Sequence, residues 1–226
     1  KGERGLSIVV PWLDEGDEDS RAAFDRTTLC LSVLTGYFLP IAEGRLEVEV
    51  EDEDGSSKLT RDSYSQVIEH LEAQARDEAQ SRALIRLRAM LGLVESAQRQ
   101  EVEEFNLPPC PEAKPEWVEG MVSEDLAKRV REALDAGRPV RLSAALTVRS
   151  KEGKNAQAQD VFHCYLKKSN TTGKPCHVRE DLIISNVDCR VIHAFTALIR
   201  VDRGALATLL GDSEGPAHTE WQGSSR

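Results

Sequence analysis

The sequence predicts an α+β protein with a mainly antiparallel sheet, packed helices, and an amino-terminal segment of helix and strand. Three observations carry this. Apolar residues recur at three- and four-residue steps through much of residues 20–99. Four strand-like segments follow one another closely after Arg138. Between the two regions lies a run with four prolines in ten residues, Asn106-Leu-Pro-Pro-Cys-Pro-Glu-Ala-Lys-Pro115, which no helix interior tolerates. The division is therefore 1–105, a connector over 106–122, and an α+β region over 123–226.

The elements follow in order. Gly5-Leu-Ser-Ile-Val-Val-Pro11 has the length and β-branched content of a buried strand stopped by Pro11. After the acidic loop Asp14–Asp19, Ser20 is placed to cap a helix whose Ala23, Phe24, Thr27, Cys30, Leu31, Leu34 and Phe38 form one stripe, ended by Pro40. Arg45–Val50 alternates at period two, with Leu46, Val48 and Val50 inward and Glu47, Glu49 and Glu51 outward, before the turn residues Asp54-Gly55. The helical pattern from Asp62 to about Arg99 reads as two packed helices, with a break near Ala79 or Gly92. Ser123 opens a helix that reaches Ala136 and stops at Gly137 and Pro139.

Val140–Arg149, Gln159–Lys168, Cys176–Val187 and Arg190–Val201 are the four strand segments, expected to form hairpins with helices on one face of the sheet. A final helix spans Ala205–Leu210 and ends at Gly211, before a loop that runs from Gly215-Pro216 to Trp221.

The chain has 226 residues and a formal charge of -10, which argues against a wholly basic coat for nucleic acid. Charge is nonetheless uneven. Residues 1–60 carry 6 basic and 14 acidic side chains, whereas residues 138–200 carry 11 basic and 5 acidic, an excess of +6. Such an excess attracts phosphates; a solvated sheet face accounts for it equally well. No apolar run approaches the roughly 18 residues of a membrane span, and five scattered cysteines read as reduced thiols, so a cytoplasmic protein without membrane association is expected. Both ends read as cuts through something longer.

Several constellations have residue types that could carry chemistry. A hairpin centred on Asn170 would bring Cys164 beside Cys176 and His163 beside His177. Strand neighbours point to opposite faces, however, so no metal is expected there. Cys189 and His193, four apart on a strand, would be separated by about 13 Å, too far for a nucleophile and its base. Asp212, Glu214, His218 and Glu220 gather on the last loop, where a helix cap and an anchor for Trp221 explain them better than a metal or general base does. No phosphate-binding loop, dinucleotide fingerprint or nucleophile elbow appears.

Arg4-Gly-Leu-Ser-Ile-Val-Val-Pro11 resembles the glycine box opening the last core strand of a Bergerat-type (GHKL) ATPase, the family of gyrase, heat-shock chaperone, mismatch-repair and MORC ATPases. Gly-Leu-Ser stands there in place of the usual Gly-Thr. Tyr165-Leu-Lys-Lys168, Val178-Arg-Glu-Asp-Leu-Ile-Ile-Ser185, and the strings Ala205–Asp212 and Pro216–Trp221 resemble the transducer region of large bacterial ATPases of this type.

The resemblance implies a transducer-like fold and a chain that couples ATP binding and hydrolysis to conformational change, in genome maintenance or antiviral defence involving DNA. It makes Gly5 a cofactor-proximal residue. Lys167, Lys168, Lys174 and Arg179 become candidates for the cation that senses the γ-phosphate, and no one of the four is singled out. ATP and Mg²⁺ would belong to the intact protein, because the acidic base, the Mg²⁺-binding Asn and the Asp-x-Gly-x-Gly loop of the family are missing here. An upstream ATPase segment or other subunits are the implied partners, and a homodimer is compatible. The competing readings are a non-enzymatic protein-interaction module built on the helices of residues 62–99, and a nucleic-acid-binding domain using the basic sheet with Phe162, Tyr165 and Phe195.

Overall fold

In the computed structural model the described residues are 6, 8, 24–108, 122–149, 157–170, 173–185, 187, 194–215, 220 and 221. The architecture is α+β: a two-stranded hairpin and a six-stranded sheet, with four of the six strand pairings antiparallel. Of the buried strand expected at Gly5–Pro11 only Leu6 and Ile8 are described, and they are 87% and 79% exposed and in no strand, contrary to that expectation. Ser20 lies outside the described residues, and the helix it was expected to cap begins at Asp25 instead.

Helix α1 (Arg26–Ala42) begins at Asp25, whose carboxylate accepts the Thr28 N–H at 2.8 Å. Cys30, Leu34, Phe38 and Ile41 are buried along it, as the stripe predicts for the first three. Pro40 does not end the helix. It lies within it because Tyr37, at φ -137°, breaks the α geometry first and restarts the helix, leaving Pro40 in an opening turn where its missing N–H costs nothing. The hairpin β1 (Val48–Asp52) and β2 (Gly55–Leu59) follows, with Asp52 opposite Gly55. Leu46, Val48 and Val50 pack on the main core while Glu47, Glu49 and Glu51 face water, as alternation requires.

The long helical pattern resolves into α2 (Tyr64–Ala73) and α3 (Glu78–Gln98). The break falls at Gln74–Asp77, a little before Ala79, because Asp77 caps α3 by accepting from Gln80 N–H at 2.7 Å. Gly92 is an ordinary helical residue. Tyr64 ties the two helices together by donating to Glu95 Oε1 at 2.6 Å; burial, then that carboxylate, pushes its phenol pKa up to about 12.

Strand β3 (Glu103–Asn106) runs parallel to β4 (Val140–Arg149), so the amino-terminal half contributes an edge to the sheet of the second half. Between them, α4 (Glu124–Asp135) starts at Ser123 as expected, and the Ser123 hydroxyl accepts from Leu126 N–H at 3.3 Å. Then come β5 (Gln157–Lys168), β6 (Cys176–Arg179), β7 (Leu182–Ile184) and β8 (Phe195–Val201), in the spatial order β3-β4-β5-β8-β6-β7. β5 does not pair with β6. The buried run Thr196-Ala-Leu198 of β8 takes the interior position between them, antiparallel to β5 and parallel to β6. The seven residues between β5 and β6 are long enough to step across two strand spacings, about 10 Å.

Helices cover both faces, contrary to the expectation of one. α1 and α3 bury Leu34, Leu84, Leu93 and Val94 against Tyr165, Cys176, Val178 and Leu198, with α2 packed against both helices. The reverse face carries α4, with Ala133 and Leu134 against Phe105 and Val140, and α5 (Ala205–Asp212), with Leu206 and Ala207 against Val201. Both faces of the interior strands are apolar, so each needs a cover. α5 runs past the expected stop at Gly211 to Asp212. It is capped from the sheet, since Asp160 on β5 accepts the Leu206 N–H at 2.7 Å.

A Cβ on Gly204 would collide with that Asp160 carboxylate. Gly204→Ala should therefore displace the cap and lower stability by about 1–2 kcal/mol in urea titrations. Asp160→Ala should cost a similar amount, and the double variant should cost no more than the larger single loss.

Candidate functional site

Sheet register fixes which side chains can meet. Leu198 on β8 stands opposite both Tyr165 on β5 and Cys176 on β6, so these three share one face. Cys164, one residue from Tyr165, points to the other face, where His177 also lies. The hairpin expected to set Cys164 beside Cys176 thus does not form: β8 separates the two cysteines, and they face opposite ways. Burial pushes the thiol of Cys164 up to about 12 and that of Cys176 to about 11, which leaves them packing groups rather than thiolates at neutral pH. Cys189, His193 and His218 lie outside the described residues.

Two polar clusters occupy the sheet. The first joins the end of α5 to β6. Arg179 donates from Nη2 to Glu214 Oε2 at 2.9 Å and from Nε to Glu214 Oε1. The Glu214 side chain is fully buried and that of Arg179 is 12% exposed. Trp221 donates its indole N–H to Glu214 Oε1 at 3.3 Å and sets its ring edge-on to His177 at 5.7 Å. Glu214 is thereby an anchor for Trp221, as expected of this loop; Asp212 and Glu220 of the same loop are exposed.

The second cluster lies on the α1–α3 face, where three strands align polar side chains. Arg141 on β4 stands opposite Tyr165, Ser143 opposite His163, and His163 opposite Arg200 on β8. Ser143 Oγ is 2.9 Å from His163 Nδ1. Arg200 donates to Glu43 at 2.5 Å and to Asp202 at 2.6 Å. Glu43 also receives Arg45, which reaches on to Asp181, so the end of α1 is laced to β8 and to the β6–β7 turn. Two adjoining cavities of about 180 and 350 Å³ open between this face and the end of α3, sharing Ala97 and Tyr165.

Sequence reading missed this second cluster. Its signal was faint: Arg141 and Ser143, and His163 and Tyr165, each repeat polar types at period two within strands otherwise read as apolar.

The four candidate phosphate sensors are dispersed. Lys167 is exposed on β5, on the face of Tyr165. Lys168 turns to the reverse face and pairs with Asp135 of α4 at 2.9 Å. Lys174 is exposed in the β5–β6 loop, where its carbonyl accepts from Arg86 at 3.0 Å. Arg179 is held by Glu214. Lys168 and Arg179 flank opposite ends of β8, opposite Phe195 and Val201, and so stand about 20 Å apart along the strand. Gly5 lies outside the described residues.

No protein-family model matches the chain, and neither a curated protein nor a solved structure matches it. Among the described residues no helix is long and apolar enough to cross a membrane.

Two predictions follow from the clusters. Glu214→Gln leaves the Arg179 guanidinium with only the exposed Glu180 carboxylate, 3.6 Å away, as counter-charge, and should destabilise by about 3 kcal/mol with a change in Trp221 fluorescence. Glu180→Gln, at an exposed 3.6 Å contact with the same guanidinium, should do little. Burial lowers the pKa of both His163 and His177, with Arg141 adding to the effect at His163. A histidine depressed by folding contributes its full stability above its unfolded pKa, about 6.5, and loses it as pH falls through the lower folded value. Unfolding temperature should accordingly drop on acidification below about pH 6.5, and less steeply in a His163→Gln, His177→Gln variant.

Proposed function

We propose that the chain is the transducer-like portion of a GHKL-type ATPase, relaying nucleotide state from an upstream ATPase segment to the rest of the molecule. One observation supports it most. Two of the strings that carry the resemblance, Val178–Ser185 and Pro216–Trp221, are joined at Arg179 and Trp221 through Glu214, which accepts from both. Residues separated by more than thirty positions therefore meet at one corner of the sheet, the arrangement expected of segments that act together.

ATP and Mg²⁺ would be held upstream; when bound they supply the transferable phosphoryl group and neutralise its charge. The contribution of this chain is one cation that contacts the γ-phosphate and releases it with product. Lys167 and Lys174, exposed and without an ion-pair partner among the described residues, fit that role by charge and access. Arg179 and Lys168 fit a structural one, since moving either would break an existing ion pair. For such ATPases the downstream work lies in genome maintenance or defence against foreign DNA.

The test is ATP turnover by intact protein that includes the upstream segment, with single Ala substitutions at the four cations and nucleotide binding measured in parallel. Lys167→Ala or Lys174→Ala should slow turnover on the order of 100-fold with binding less affected. Arg179→Ala should instead lower the unfolding temperature. Unchanged turnover in all four variants removes the sensor, and robust turnover by residues 1–226 alone overturns the ATPase-partner reading.

A further inference from the structure

We propose that the cavity between the end of α3 and the β3–β4–β5 face binds a small organic carboxylate with a short apolar body, held by Arg141. The guanidinium is half used. Its Nη2 pairs with Glu104 at 2.6 Å, while its Nε is buried and has no hydrogen-bond partner among the described residues. A buried donor left unpaired is destabilising, so this N–H is a standing demand for an acceptor. The fork of Nε and Nη2 matches the two oxygens of a planar carboxylate. Glu104 fills only one tine, from the rim, with a side chain 62% exposed and free to swing into water. A ligand carboxylate entering in its place satisfies both.

The remaining wall suits the body of such a molecule. Ala97, Val102 and the Tyr165 ring supply apolar surface. The Tyr165 hydroxyl has no hydrogen-bond partner among the described residues and offers a second polar contact beside Arg141, its cross-strand neighbour.

Gln100 adds an independent sign. It adopts φ +57° at the end of α3, with its N–H bonded to Ala97 O and the Glu101 N–H to Ser96 O, a helix ending in which glycine is the low-cost residue. The equivalent ending of α4 does use glycine, Gly137 at φ +74°. Gln100 lines the cavity, which places its exposed side chain within reach of a bound carboxylate. The fork accepts either anion, but the apolar patch of Ala97, Val102 and the Tyr165 ring beside a single guanidinium favours a carboxylate with an apolar body over inorganic phosphate.

The experiment titrates the full chain with benzoate, following heat and the ring resonances of His163, which lies 6.4 Å from Tyr165. Saturable binding with Kd on the order of 1 mM is expected. Arg141→Lys, which keeps the charge and removes the fork, should weaken it about 10-fold or more. Glu104→Gln, which removes the competing carboxylate, should tighten it about 3-fold. Should Arg141→Lys fail to fold, Tyr165→Phe provides the second reading, with weaker binding and an intact fold. Absence of saturation by about 20 mM benzoate overturns the site. So does binding indifferent to both Arg141→Lys and Tyr165→Phe, and inorganic phosphate binding as tightly as benzoate overturns the carboxylate assignment.

Discussion

The insertion of β8 between β5 and β6 is the constraint on which the rest of the structure depends. It sets Leu198 between Tyr165 and Cys176 and so builds the floor on which α1 and α3 pack. It also carries Arg200 beside His163 and aligns Val201 with Arg179. Both polar clusters are consequences of that single choice of neighbour. With β5 and β6 paired directly, cysteines and histidines would have crowded one hairpin and the helices would have lost their central strand.

The two halves of the chain are knit by the same arrangement. β3, from the amino-terminal half, extends the sheet beside β4 through a parallel pairing that needs the intervening helix α4 to carry the chain back. Leu84, Leu93 and Val94 of α3 share a buried cluster with residues of β5, β6 and β8. Ion pairs reinforce the seam at its edge, from Asp202 through Arg200 and Glu43 to Arg45 and Asp181. Such exposed or half-exposed pairs add little stability singly; together they link the end of α1 to β8 and to the β6–β7 turn.

Local structure was largely legible in the sequence because its signals are local. The stripe on α1, the alternation through Val48 and Val50, the Ser123 cap and the strands around Val140 and Cys164 all follow from periodicity and capping. Misreadings arose where distant parts of the chain decide. Pro40 continues its helix because Tyr37 yields first; Gly211 stays helical because α5 is held by Asp160 and by packing on Val201. The position of β8 depends on competition among several apolar strands, which no single segment reveals. The polar cleft was invisible for a related reason: Arg141, Ser143, His163, Tyr165 and Arg200 come from three strands and share no motif. The placements of Lys167, Lys168, Lys174 and Arg179 likewise depend on register, which decides between solvent and a waiting carboxylate.

The fully buried carboxylate of Glu214 has a consequence for the boundary of the folding unit. A tail that merely lay on the surface could be trimmed by proteases without effect. Here the residues after α5 supply the counter-charge of an interior guanidinium and the indole that closes over His177. Cleavage just before Glu214 would strand Arg179 in an apolar setting and unroof the sheet corner. Glu214 and Trp221 are therefore part of the cooperative unit, and their release would open the β6 end of the sheet rather than fray it residue by residue.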